Sequence, residues 1–371
     1  MLFFLSSAGI LGSWKALRAI IALYERTMSY DILFPMKLAL KIRPQRSTQY
    51  AHMTSALASP ELQASPAGRL ISDITSLTLA GQGYLLVTAD ASLLTSRPMR
   101  DLLARLGASS EAYEYFEQIG DITGPLLRPI EPHFVPFLPL EMAEARRYKG
   151  KTNEIFTRVL LNVAIFAGEY STHYNERLRI LDPLAGGGTT LFTALAAGYD
   201  AFGVELERQD VETTAQFVKQ YLTGEHIPFK ETNERSRKAG RRYHFEIGRK
   251  GETRWLVLAQ GNTTDASMHM REVAGGPHMH AIVGDLPYGI QHFGEIASLL
   301  SKALPVWESM LLPGGTLALS WNATRIERAA LSELLERHTH LHIRNDPPYT
   351  LFAHAVDRVI KKRDIIVGVK S

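Results

Sequence analysis

Apolar and polar positions alternate most informatively between Leu178 and Glu205. Leu178 to Leu181 is a short apolar run, as expected of a buried strand, and Asp182 closes it. Gly186, Gly187 and Gly188 then predict a turn where backbone can approach a ligand closely. Thr189 to Ala197 carries Leu191, Ala194, Leu195 and Ala197 at helical spacing and stops at Gly198. A second strand, Ala201 to Val204, ends on Glu205. Strand, glycine turn, helix, strand and terminal acid is the layout of a nucleotide-type pocket at the carboxyl end of a parallel sheet.

The same reading continues in both directions. Downstream, Ala281–Val283 predicts a β-branched strand, Gly314–Trp321 a glycine turn entering a fifth strand, and Asp364–Val369 an antiparallel last strand. Upstream, an apolar helix is expected from Ile155 to Phe166, with Thr152 or Asn153 as its cap. Earlier still, Tyr50–Leu62 predicts a helix, Gly83–Val87 a strand, and Arg100–Leu106 a helix closing at Gly107. Tyr113, Tyr115 and Phe116 fall in a helix-like stretch and are expected in the core. Five prolines between residues 124 and 140 predict a stiff linker. The expected division is therefore an N-terminal domain at 28–123, a linker at 124–144 and a larger α/β domain at 145–371.

Met1 to Leu23 is apolar but broken by Lys15 and Arg18, with no basic residue before it. That is a poor signal peptide and too interrupted for a spanning helix. Residues 1–27 are either an extension ahead of a second start at Met28 or a helix packed on the body. A cytoplasmic location without membrane attachment is the expectation.

Composition narrows the chemistry. A hydrophobic content of 45% is ample for a core, and a formal charge of +3 is too small to establish a polyanionic partner by itself. Any basic surface must be local, and residues 230–254 supply one: Arg235, Arg237, Lys238, Arg241, Arg242, Arg249, Lys250 and Arg254. Within it, Tyr243–Ile247 and Trp255–Leu258 predict a hairpin through Gly248–Gly251, and the cations suit either solvent or phosphate. Cysteine is absent, which removes disulfides, thiolate metal sites and cysteine nucleophiles. No His, Asp and Glu set has metal-ligand spacing, so no metal is expected.

Glu205 sharpens the pocket, because an acid after the second strand can accept both hydroxyls of a ribose. The turn lacks the lysine of a phosphate loop, and Asp182-Pro183 ahead of the glycines departs from the dinucleotide fingerprint. Asp182-Pro183-Leu184-Ala185-Gly186-Gly187-Gly188-Thr189 resembles the first motif of class I S-adenosylmethionine (SAM) methyltransferases that modify nucleobase amino groups. It departs from that motif at Leu184, where Phe is usual, and at Gly187, where Ser is usual. The resemblance implies a Rossmann-like, mostly parallel sheet with an antiparallel last strand, beside a smaller α+β N-terminal domain. It also implies SAM as cofactor, held by Asp182, Pro183, Ala185, Gly186, Gly188, Thr189, Thr190 and Glu205. Asn262, after the third strand, matches the position that reads adenine. Lys149, Lys151, Thr152 and Asn153 match the loop that closes one side of the cofactor pocket.

The second motif is Asp285-Leu286-Pro287-Tyr288, leaving the strand at Ala281–Val283. Pro287 holds Leu286 away from the helical region and so fixes its carbonyl. The Asp285 carboxylate and that carbonyl can then both accept hydrogens from one exocyclic amine, while Tyr288 offers a stacking face. His292, soon after, is read either as a pocket residue or as a surface histidine. The family pattern is Asp/Asn-Pro-Pro-Tyr/Phe, and Leu286 in place of the first proline resembles the variant in tRNA guanine amino methyltransferases. The chain thus resembles enzymes that methylate an exocyclic amine of RNA, with guanine N2 of tRNA implied and RNA as partner. Two alternatives stand beside that reading: a DNA adenine or cytosine amino methyltransferase, and a catalytically silent RNA-binding protein.

Overall fold

A computed structural model describes residues 35–45, 48–148, 150–236, 240–287, 293–356 and 361–371. The expectations for residues 1–27, and for Lys149, Tyr288 and His292, fall outside them. Among the described residues, no helix is long and apolar enough to cross a membrane.

Two sheets carry the chain. The first holds β1 (Met36–Ile42), β2 (Ile71–Leu79), β3 (Gln82–Ala89), β4 (Ser109–Ile119) and β5 (Ile122–Pro129), all antiparallel, in the order β2-β3-β1-β4-β5. Helices α1 (Thr48–Ala64) and α2 (Arg97–Arg105) bury Met53, Leu57 and Leu102 with Leu38 and Leu40 of β1. Each such side chain contributes about 1.5–3 kcal/mol by leaving water.

Two expectations change here. Tyr113, Tyr115 and Phe116 lie on β4, not on a helix, and are half-buried. Glu111, Tyr113, Tyr115 and Glu117 alternate with Ala112, Glu114 and Phe116, a period of two that aromatic residues favour in strands. Residues 122–129, which overlap the first part of the linker expected at 124–144, form β5, which pairs Leu126 with Phe116 and Leu127 with Tyr115. An edge strand tolerates Pro125 and Pro129 because one of its sides needs no amide donors.

The second sheet contains β6 (Arg179–Asp182), β7 (Asp200–Glu205), β8 (Phe229–Ser236), β9 (Gly240–Ile247), β10 (Arg254–Gln260), β11 (Met279–Asp285), β12 (Leu311–Asn322), β13 (His342–Ile343) and β14 (Arg363–Val369). Their order is β13-β14-β12-β11-β6-β7-β10-β9-β8. The five strands from β12 to β10 are parallel, and β14 runs antiparallel to β12. The fold is therefore α/β, with a mostly parallel Rossmann-like sheet, an antiparallel strand after the last parallel one, and a smaller antiparallel sheet ahead of it. The basic insertion extends the sheet as β8 and β9. Three of its arginines are engaged internally: Arg241 with Glu212, Arg242 with Glu234, and Arg254 with the Gly198 carbonyl.

Helices α3 (Glu154–Ala167), α4 (Thr189–Ala196), α5 (Arg208–Gly224), α6 (Phe293–Met310) and α7 (Arg328–His338) cover this sheet. Helix α3 is apolar nearly all round because it is buried between the two halves. Glu61 of α1, fully buried, accepts from the Gly107 and Ala108 amides at 2.7 and 2.9 Å and from the Asn162 side chain of α3 at 2.7 Å. Arg158 of α3 donates to the Arg105 and Ala104 carbonyls at 3.0 and 2.9 Å, satisfying the carboxyl end of α2. One hydrophobic core runs through this junction from Leu38 to Val367.

Strand β6 has β7 on one side and β11 on the other, so the strand order reverses beside it. A crevice opens outside the carboxyl ends of the strands at such a point. Asp182, Glu205 and Asp285 end the three neighbouring strands there.

Candidate active site

The glycine turn is built by contacts on every side. The Leu184 amide donates to Asp182 Oδ1 at 3.0 Å, and the Ala185 amide to the Val204 carbonyl at 3.0 Å. Gly186 and Gly188 have φ of +48° and +87°, which favours glycine at both. A Cβ on Gly186 would meet nothing within 4 Å, so the backbone there is bare towards the crevice. The Gly186 amide donates to Glu205 Oε2 at 2.7 Å, and the Glu207 amide to Oε1 at 2.8 Å. Glu205 thereby holds the turn, in addition to any ligand contact.

Gly187 explains one departure from the family pattern. A Cβ there would lie 2.4 Å from the Tyr148 ring, so the usual serine is excluded unless that ring moves. Tyr148 in turn shares a 2.7 Å hydrogen bond with Thr189 Oγ1. Arg146, buried, donates to the Gly187 carbonyl at 2.8 Å, the Thr213 carbonyl at 3.1 Å and Thr214 Oγ1 at 2.9 Å. Arg146 and Tyr148 are site-building residues that no local pattern disclosed, since their partners lie far along the chain.

A cavity of about 270 Å³ occupies the crevice. Its lining joins Asp182, Leu184, Ala185, Gly186, Thr189 and Thr190 of the first motif to Asp285, Leu286 and Pro287 of the second. Tyr148, Gly150, Thr152, Thr157 and Leu160 close the remaining side. Two motifs roughly a hundred residues apart in sequence thus face one space. Pro183, Gly188, Glu205, Asn262 and Asn153 stand outside the described lining. Pro183 packs beneath the turn against Gly284, and Gly188 starts α4. Asn153 caps α3, accepting from the Ile155 and Phe156 amides at 3.0 and 3.1 Å. Asn262 is exposed after β10, where its side chain accepts from the Thr264 amide at 3.0 Å.

The carboxylates have different surroundings. Burial pushes Asp182 up to about 7; the Thr190 hydroxyl and Leu184 amide oppose this, and nearby Asp285 and Glu205 add to it. Asp285 is held by side chains from three parts of the chain, a loop and two strands. Thr152 Oγ1 donates to its Oδ2 at 2.6 Å, Ser320 of β12 donates to its Oδ1, and Arg363 of β14 lies 3.9 Å from Oδ2. The Leu286 amide donates to the Ser320 carbonyl at 2.9 Å, which fixes the backbone after Asp285. Among the described residues, no His, Asp and Glu cluster could hold a metal ion.

No protein-family model matches the chain, and no curated protein matches it. Among solved structures, TrmN from Thermus thermophilus is similar at 13% identity and a TM-score of 0.42, covering 91% of this chain and 100% of its own. An RNA methyltransferase from Salinibacter ruber, in complex with S-adenosyl-L-homocysteine, is similar at 11% identity and a TM-score of 0.31, covering 59% of this chain and 92% of its own. A TehB-like SAM-dependent methyltransferase from Corynebacterium glutamicum is similar at 14% identity and a TM-score of 0.32, covering 53% of this chain and 82% of its own.

Proposed function

We propose that the chain is a SAM-dependent methyltransferase acting on an exocyclic amine of a nucleobase in RNA, with guanine N2 of tRNA as the target, in the cytoplasm. The observation that carries this is the cavity itself, which sets a glycine turn and an Asp-Leu-Pro carboxylate face to face at the switch point of a parallel sheet. The residues fit the cofactor: Gly186 leaves bare backbone, and the buried Asp182 is an acid that an arriving cation would ionise. SAM supplies a methyl group on a sulfonium, an electrophile that needs no metal and no covalent enzyme intermediate.

The chain's own contribution is positioning. Asp285, held by the Thr152 and Ser320 hydroxyls, lines the cavity and there offers an acceptor to an amine. The Leu286 carbonyl, aimed by Pro287, offers the next acceptor. Two acceptors and no donor suit an NH2 group and orient its lone pair away from the protein, towards the methyl carbon. As the nitrogen formed its bond to that carbon, the carbon–sulfur bond would break and the sulfonium would leave as a neutral thioether; the nitrogen's surplus proton would be lost to solvent when the product leaves the pocket. Leu160, Leu184 and Leu286 keep bulk water from the reacting atoms. Residues 28–123 present the RNA in this reading, and the exposed Arg249 and Lys250 of the β9–β10 turn meet phosphate. Asn262 reads adenine and Glu205 the ribose.

The test is transfer of labelled methyl from SAM to unmodified tRNA, run beside duplex DNA and at rising salt. The expected result is label in tRNA, suppressed steeply by salt. Label in DNA alone would make the chain a DNA adenine or cytosine amino methyltransferase. RNA binding with no transfer to any nucleic acid would make it a silent RNA-binding protein.

A further inference from the structure

We infer that Thr152 and Ser320 are paired positioning residues that hold the Asp285 carboxylate, one on each oxygen. The inference rests on the methyl-transfer reading above and adds to it the groups that orient its central acceptor.

The two hydroxyls reach Asp285 from separate elements. Ser320 is fully buried on β12 and stands beside Asp285 in the parallel register of β11 and β12. Thr152 precedes the Asn153 cap of α3, and its hydroxyl donates to the other oxygen at 2.6 Å. Each oxygen therefore accepts from a hydroxyl, Thr152 from the cavity lining and Ser320 from within the sheet. A carboxylate's terminal torsion is broad and roughly two-fold when nothing holds it. A donor on each oxygen removes that freedom while the carboxylate still lines the cavity. Behind Asp285, Arg363 is nearly buried, stacks 4.5 Å from the centre of the Phe156 ring of α3, and lies 3.9 Å from Oδ2. The packing that fixes Arg363 thus also keeps a cation beside the carboxylate.

Thr152 sits close to the residues that build the other half of the site. Arg146 holds the Gly187 carbonyl and Tyr148 holds Thr189, while Thr152 holds Asp285. One stretch of chain thereby spans both motifs and sets the separation between the glycine turn and the amine acceptor. Separation of reacting groups is where orientation contributes most to rate.

The experiment measures kcat for tRNA methylation, and SAM affinity by calorimetry, for Thr152→Val, Thr152→Ser, Ser320→Ala and Asp285→Ala. Thr152→Val removes the hydroxyl at nearly constant shape, and kcat falls about tenfold or more, the usual effect of losing a hydrogen bond to a charged group. SAM affinity stays within about twofold, because Thr152 acts through Asp285. Thr152→Ser, which keeps the hydroxyl, returns kcat to within about threefold of the parent. Ser320→Ala behaves like Thr152→Val, and the variant lacking both hydroxyls falls no lower than Asp285→Ala, since all act through one carboxylate. Should Ser320→Ala fail to fold, the Thr152 pair at its half-buried site still decides the matter. The inference is overturned if Thr152→Val keeps the parent kcat, if Thr152→Ser is as slow as Thr152→Val, or if SAM affinity falls in step with kcat. A parent protein that transfers no methyl at all overturns the functional reading itself, whereas an active parent with indifferent variants overturns only this inference.

Discussion

Replacing Asp182 by Asn should stabilise the protein without ligand while damaging its cofactor site. Burial lifts this carboxyl from the ordinary 3.8 to about 7. In the unfolded chain it ionises near the lower value, and in the folded chain near the higher. Between the two the folded state binds more protons, so this group's contribution to stability is present at low pH and lost as pH rises to 7. At about 1.36 kcal/mol per pH unit the whole effect is on the order of 4 kcal/mol, of which roughly 2.5 kcal/mol falls between pH 5 and pH 8. Asn keeps an acceptor for the Leu184 amide and carries no charge, so it has no such slope. Urea unfolding of parent and Asp182→Asn at each pH gives the difference directly, with other titrating groups cancelling. The variant should gain on the parent steadily from pH 5 to pH 8, and should bind SAM weakly throughout. A stability difference that does not change over that range would refute the claim that burial holds Asp182 near neutrality.

Two further outcomes follow from the same geometry. Glu205→Ala removes the acceptor of the Gly186 and Glu207 amides as well as the proposed ribose contact. SAM affinity should then fall by about 1.5–3 kcal/mol or more, measured by calorimetry, and unchanged affinity would remove Glu205 from the cofactor site. Glu61→Ala strips the acceptor from two buried amides and the Asn162 side chain, so the junction between the two halves should lose about 3 kcal/mol or more in denaturant unfolding. A loss below about 1 kcal/mol would mean that water reaches those donors.

Much of the parallel sheet was legible because its strands are local signals. Leu178–Leu181, Ala201–Val204 and Ala281–Val283 are short apolar runs bounded by turn residues, and each lies on a strand of the large sheet or its immediate approach. The cap of α3 is legible to within one residue, Thr152 or Asn153, because capping is decided within three residues; Asn153 takes it. The aromatic run at Tyr113–Phe116 is ambiguous in the sequence because aromatic residues fit both helix and strand, and only pairing with β1 and β5 decides. The prolines at 125 and 129 hid β5, since an edge position is a property of the assembled sheet. Least legible were the contacts that complete the site. Thr152 meets Asp285 across 133 positions, Ser320 across 35, and Arg146 meets Gly187 across 41. Strand order brings these residues together, and no spacing within either motif encodes it.

The central claim is that Asp285 presents an exocyclic base amine for methylation. Its most direct measurement is mass spectrometry of nucleosides from unmodified tRNA incubated with SAM and either the parent or Asp285→Ala. The parent should place methyl on the guanine amine, and the variant should turn over more slowly by orders of magnitude with SAM affinity nearly intact. Methyl on a ring carbon or a ribose hydroxyl, or a variant within a few-fold of the parent, would contradict it.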